Sequence, residues 1–144
     1  MPENMQVILA VDDEVSDLER MLEILQGQGY AVLAAGDFTQ AVRVFRDSQD
    51  AIVLLIADIS LPGKNGCDLA KELLAIKPDL KVLFVSGHVG LEVCRFYGLA
   101  PSDLHFLRKP FELEEFLARV REVLSSNQPV PGLRAAAHGS FDVS

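Results

Sequence analysis

The feature that most constrains this chain is an alternation. Short stretches that are apolar at every position are separated by longer stretches whose apolar residues recur with the period of a helix. Val7 to Val11 runs apolar and stops at Asp12; Ala51 to Ala57 stops at Asp58; Val82 to Val85 stops at Ser86. A strand apolar on both faces suits a sheet covered on both sides, which is the parallel arrangement. Ala31 to Ala35 is a weaker run of the same kind, and His105 to Leu107 a very short one. Between the runs the period becomes 3.6. Leu18, Met21, Leu22 and Leu25 fall on one helical stripe, and Phe38, Ala41, Val42 and Phe45 on another, with Asp37 and Gln40 at the positions of a capping box. Leu69, Leu73 and Ile76 mark a third helix that ends before Pro78, and Val89 to Leu99 a short fourth. Leu113, Phe116, Leu117, Val120 and Leu124 make the fifth. Its acids Glu112, Glu114 and Glu115 come first and Arg119 and Arg121 later, as the helix dipole favours.

Five strand–helix units predict an α/β domain of three layers around a parallel sheet, with right-handed crossovers. Ligand sites in such sheets lie beyond the carboxyl ends of the strands. The pattern places one domain at residues 1–125. Residues 126–144 are rich in Pro, Gly, Ala and Ser without an apolar period and read as a disordered tail or linker remnant. A hydrophobic fraction of 49% is enough for a core, and a net charge of −8 argues against direct contact with nucleic acid or anionic lipid. No apolar run approaches membrane-spanning length, and Met1-Pro2-Glu3-Asn4 does not open a signal peptide. The expected location is therefore cytoplasmic, where Cys67 and Cys94 would be free thiols.

The strand ends carry the chemistry. Asp12, Asp13 and Glu14 follow the first run, Asp58 the third, Ser86 the fourth and Lys109 the fifth. Each alone has an ordinary reading: a capping aspartate, a Ser-Gly turn, a solvated lysine. Together, a parallel sheet gathers them on one edge. Crowded carboxylates are relieved by a raised pKa or by a hard cation. Mg²⁺ favours oxygen ligands, keeps waters and bridges carboxylates to phosphate oxygens. An adjacent lysine neutralises an incoming phosphoryl group. The set predicts phosphoryl transfer to a carboxylate, with Asp58 as nucleophile.

These residues sit in segments that resemble the receiver family of two-component signalling. The segments are Val11-Asp12-Asp13-Glu14, Ala57-Asp58-Ile59-Ser60-Leu61-Pro62-Gly63, Asn65-Gly66, Ser86-Gly87 and Phe106-Leu107-Arg108-Lys109-Pro110-Phe111. The resemblance covers Val7 to about Leu124. It implies a flavodoxin-like, doubly wound five-stranded parallel sheet of order 2-1-3-4-5. It implies that Asp58 accepts the phosphoryl group, that Asp13 and Asp58 bind Mg²⁺ directly with the Ser60 carbonyl as third protein ligand, and that Asp12 acts through the metal's water shell. It also implies that the Ser86 hydroxyl and Lys109 hold phosphoryl oxygens, that the Lys109–Pro110 bond is cis, and that Phe106 occupies the switch-aromatic position. The phosphodonor would be a histidine kinase or phosphotransfer protein; a downstream protein would read the output, and a homodimer stays open. Phe106 departs from the common Tyr and has no hydroxyl to bond. Phe106 to Phe111 with Ser86-Gly87-His88 looks most like receivers of hybrid histidine kinases.

Other residues carry less. His88 lies at the rim of the site, His105 precedes the short fifth strand, His138 falls in the tail, and Tyr30 and Tyr97 read as packing residues. Two rivals remain from the sequence. An aspartyl-phosphate phosphohydrolase would place its nucleophile after the first strand in an Asp-x-Asp pattern. A flavodoxin-like electron carrier would need a hydroxyl- or glycine-rich loop where this chain has an acidic triplet.

Overall fold

The computed structural model describes residues 6–87 and 105–126. The expected helix over Val89 to Leu99 lies outside them, as do His88, Cys94, Tyr97, His138 and the expected tail after Ser126. The elements run β1 (Val7–Val11), α1 (Val15–Gly27), β2 (Ala31–Ala35), α2 (Phe38–Ser48), β3 (Ile52–Asp58), α3 (Gly66–Ile76), β4 (Lys81–Ser86), β5 (Phe106–Arg108) and α4 (Leu113–Ser125). The strands form one five-stranded sheet of order β2-β1-β3-β4-β5, with every neighbouring pair parallel. This is the doubly wound, flavodoxin-like order. The chain leaves β1 for β2 on one side and returns to add β3 on the other. The switch point therefore lies between the ends of β1 and β3, where Asp12 and Asp58 stand.

All five side chains of β1 are buried, because alternate residues feed different layers. Val7, Leu9 and Val11 pack with Leu55, Ala57, Phe84, Phe45 and Leu73 on the α2–α3 side. Ile8 and Ala10 pack with Leu54, Ile56, Val85, Met21 and Phe116 on the α1–α4 side. Fully burying one such Leu, Ile or Phe is worth about 1.5–3 kcal/mol, so both helical layers are clamped to the sheet by the strands that carry the site. The strands reach one residue further than the apolar runs suggest: Asp58 and Ser86 are the last residues of β3 and β4. They take part in the ladder, with Asp58 opposite Val85 and Ser86 opposite Arg108.

The helix ends explain the loops. Asp37 caps α2, accepting from the Gln40 amide at 2.8 Å. The reciprocal bond of the expected capping box goes one residue further back, from the Gly36 amide to the Gln40 side chain. The complete box is at α3, where Asn65 accepts from the Asp68 amide and Asp68 from the Asn65 amide. Two lysines close other ends. Lys77 Nζ donates to the carbonyls of Gln49 at 2.8 Å and Ile52 at 2.7 Å, pinning the link from α2 into β3. Lys81 Nζ donates to the Leu124 carbonyl in the last turn of α4. Phe111 stacks on Phe116, with the Arg20 guanidinium 5.0 Å from its ring centre.

Gly66, the first residue of α3, sets the approach of that helix to β3. A Cβ built there would lie 2.4 Å from the Asp58 carbonyl oxygen and 2.9 Å from Ile59 Cα. Both obstacles are backbone, so neither can rotate away. Gly66→Ala should destabilise the fold by about 1–3 kcal/mol through overpacking, read by urea denaturation. A loss under about 0.5 kcal/mol would show that the Asp58–Ile59 backbone yields without cost.

Candidate functional site

The carboxyl ends of β1 and β3 use the same local device. Asp12 Oδ1 accepts from the Glu14 amide at 2.9 Å, and Asp58 Oδ1 accepts from the Ser60 amide at 2.8 Å. Each carboxylate bonds the backbone two residues on, an Asx turn that steers the chain off the strand. One oxygen of each is thus held by its own loop, and the other faces across the sheet edge. There a single ammonium meets both: Lys109 Nζ donates to Asp12 Oδ2 at 2.7 Å and to Asp58 Oδ2 at 2.8 Å. A third bond, at 2.9 Å, goes to Asp17 Oδ2 in the first turn of α1.

Lys109 reaches this point from β5. Its amide donates to the Ser86 carbonyl at 2.8 Å, and the Lys109–Pro110 peptide is cis, as the resemblance implies. Arg119 of α4 donates to the Phe106 carbonyl, tying the start of β5 to that helix. The strand is short, so these two bonds do much to locate it.

Burial sharpens the electrostatics. Asp12 is 1% and Asp58 5% exposed, whereas Asp13 is on the surface. Burial is the main cause that pushes Asp12 up to about 6, and the Asp58 charge adds to it; hydrogen bonds from Lys109 and the Glu14 amide oppose. For Lys109, burial pulls the ammonium down, but hydrogen bonds to Asp12, Asp58 and Asp17 outweigh it and hold the pKa well above that of a free lysine. His105 is lowered by burial, with Glu122 opposing, and its carbonyl accepts from the Phe84 amide at 2.9 Å.

Asp12, Asp13 and Asp58 each offer an oxygen, and these oxygens all lie within 4.8 Å of one another. An all-oxygen donor set with two members buried fits a hard divalent cation such as Mg²⁺. Ser60 is exposed and contributes its amide to Asp58. Ser86 is fully buried, and its hydroxyl has no hydrogen-bond partner among the described residues. An orphaned buried hydroxyl at the end of the strand beside Asp58 is what an arriving acceptor oxygen would meet. Phe106 is half-buried against the α2–α3 core layer.

The structure thus brings Asp12, Asp13, Asp58 and Lys109 into direct reach and sets Ser86 and Phe106 on the adjoining strands. Sequence reasoning missed Asp17. The signal was there, an acid one helical turn past the Asp12-Asp13 pair, but an acid in a first turn is ordinarily accounted for by the helix dipole. It also passed over the close approach of Gly66 to the Asp58 backbone, for which the Asn65-Gly66 pair was the cue.

The Asp12 shift sets a pH dependence. A carboxyl raised in the fold favours folding while it stays protonated; that contribution is complete below its ordinary 3.8 and lost as the pH rises through about 6. Relative to Asp12→Asn, metal-free wild type should therefore lose stability across that window. Saturating Mg²⁺ should restore it, because a cation binds the ionised cluster of the folded state. Thermal melts with and without a chelator check this. Parallel curves for the two proteins would show that Asp12 titrates as an ordinary surface acid.

With this geometry established, comparison with known proteins is informative. The family model described as response regulator receiver domain matches residues 8–121. The response regulator MprA of Mycobacterium leprae is 34% identical over 137 residues, 94% of this chain and 58% of that protein. The DNA-binding response regulator MtrA of Mycobacterium tuberculosis is 35% identical over 126 residues, 88% of this chain and 54% of that protein. The chain therefore spans about half the length of these curated relatives. Among solved structures, a response regulator receiver domain protein from Clostridium thermocellum superposes with a TM-score of 0.72 at 26% identity, covering 83% of this chain and 94% of that one. The non-phosphorylated HemR receiver domain from Leptospira biflexa gives 0.70 at 34% identity, covering 86% and 98%. Receiver domains bind Mg²⁺ at an acidic pocket and accept phosphate from histidine kinases. With the family match running from β1 into α4, this chain belongs to the response regulator receiver family.

Proposed function

We propose that the chain is a phosphorylation-dependent signalling switch in which Asp58 is the phosphoacceptor. The observation that carries this reading is the convergence of buried Asp12 and Asp58 on Lys109, with Asp13 close enough to share a cation. The donor is a phosphohistidine on a histidine kinase or phosphotransfer protein. An Asp58 carboxylate oxygen bonds to phosphorus while the phosphorus–nitrogen bond breaks and the imidazole leaves with that electron pair. Asp12, Asp13, Asp58 and the Ser60 carbonyl would hold Mg²⁺, which supplies charge neutralisation between the carboxylates and the phosphoryl oxygens. Lys109 bonds a phosphoryl oxygen as a fixed positive charge, and Ser86 contributes its unpaired hydroxyl. The module accepts and slowly releases its own phosphoryl group rather than turning over a small substrate.

The output is a change of packing. As Ser86 turns toward the phosphoryl oxygens, the half-buried Phe106 ring moves inward behind β4, since a packed core tolerates neither a void nor an overlap. Phe106 carries no hydroxyl that burial would leave unpaired.

The relatives reported above are named as response regulators, so we read the chain as part of such a regulator in preference to a receiver of a hybrid histidine kinase. The DNA-binding activity in one relative's name belongs to that protein; for the acidic receiver itself, with a net charge of −8 over the chain, we infer no direct contact with nucleic acid. Among the described residues no helix is long and apolar enough to cross a membrane, in keeping with the cytoplasmic location we propose.

Two outcomes test the reading. Acetyl phosphate with Mg²⁺ should add a single phosphoryl group, absent in Asp58→Asn, by intact-mass spectrometry; equal labelling of the variant sinks the assignment. Beryllofluoride, a phosphoryl mimic, should shift the NMR signals of Ser86 and the Phe106 ring. If neither moves while partner binding changes, the signal leaves by another route.

A further inference from the structure

Lys109 is saturated. An ammonium has three N–H donors, and all are committed: to Asp12 at 2.7 Å, Asp58 at 2.8 Å and Asp17 at 2.9 Å. For Lys109 to bond a phosphoryl oxygen, one of the three must let go. Asp12 and Asp58 are buried, and each is fixed through its other oxygen to a loop amide. Both also belong to the group of oxygens within 4.8 Å of one another, and Asp17 does not. The Asp17 side chain is 42% exposed in the first turn of α1, and water can replace its contact at little cost.

We infer that Asp17 is a positioning residue, a resident counter-ion that competes with an incoming phosphoryl oxygen for the Lys109 ammonium. The inference rests on the phosphoacceptor reading above. In the resting state Asp17 holds the ammonium over Asp58, completing its hydrogen bonds in a half-buried place. When a phosphoryl group arrives, Asp17 is displaced to solvent and its donor is reused. The displaced carboxylate stays nearby and repels the new anion. Asp17 therefore sets how tightly the phosphorylated state is held, without touching the reacting atoms.

The test uses the full chain with saturating Mg²⁺ and beryllofluoride as the probe. Asp17→Asn removes the charge and should bind beryllofluoride about fivefold more tightly, a size suited to a partly exposed ion pair. Asp17→Glu keeps the charge and should stay within about twofold of wild type. The gain of the Asn variant should shrink at high salt, since the group it removes is reached by solvent ions. Mg²⁺ affinity, measured without beryllofluoride, should be the same in all three proteins. A purely structural Asp17 would lower the melting temperature of Asp17→Asn without tightening the probe. An Asn variant that binds beryllofluoride no better than wild type overturns the inference, as does one whose binding changes only in step with Mg²⁺ affinity. If wild type takes up no beryllofluoride, the phosphoacceptor reading falls and this inference with it; a wild type that binds while the Asn variant is unchanged removes this inference alone.

Discussion

Two carboxylates lie buried side by side at the carboxyl edge of a largely apolar sheet, and one ammonium makes that arrangement tolerable. Removing a charge from water costs several kcal/mol, recovered only when partners and hydrogen bonds are well placed. Asp12 and Asp58 meet both conditions: each has one oxygen on a loop amide and the other on Lys109. The compensation is incomplete, since burial still pushes Asp12 up to about 6. A divalent cation among the Asp12, Asp13 and Asp58 oxygens would relieve the repulsion that remains.

The rest of the fold keeps those groups in place. β1, β3 and β4 are buried on both faces, so the positions of their last residues are set by two packed layers rather than by flexible loops. Gly66 lets α3 close on the Asp58 backbone, and the Asn65–Asp68 box starts that helix where Gly66 needs it. β5 has only three residues and less packing of its own. It is located instead by the Lys109 amide on Ser86 and by Arg119 on Phe106. This short strand carries Phe106 and leads directly into Lys109.

Much of this was legible in the chain itself. Runs apolar at every position require a sheet covered on both faces, and that requirement with right-handed crossovers yields the layer order and the edge on which Asp12, Asp58, Ser86 and Lys109 gather. The strand order came from the receiver resemblance and agrees with the structure. The Asp37–Gln40 pair was nearly right: the cap forms, but its return bond lands on Gly36, since a flexible Gln side chain reaches either amide. The Asn65 box was not singled out: Asn65-Gly66 entered only through the receiver resemblance, although Asn65 and Asp68 stand at capping-box spacing.

What the sequence by itself determined is the class of fold and the identity of the residues at the strand ends, because both follow from periodicity and from where apolar runs stop. Only the tertiary structure decided how those residues share one ammonium. Lys109 and Asp12 are separated by 97 residues, Lys109 and Asp58 by 51, and Lys109 and Asp17 by 92. No local pattern records that α1 turns an acid toward β5, or that Ser86 ends buried with its hydroxyl unpaired. Those facts depend on helix rotation and on how closely separate layers approach, quantities set by side-chain packing across the whole sheet rather than by any segment alone.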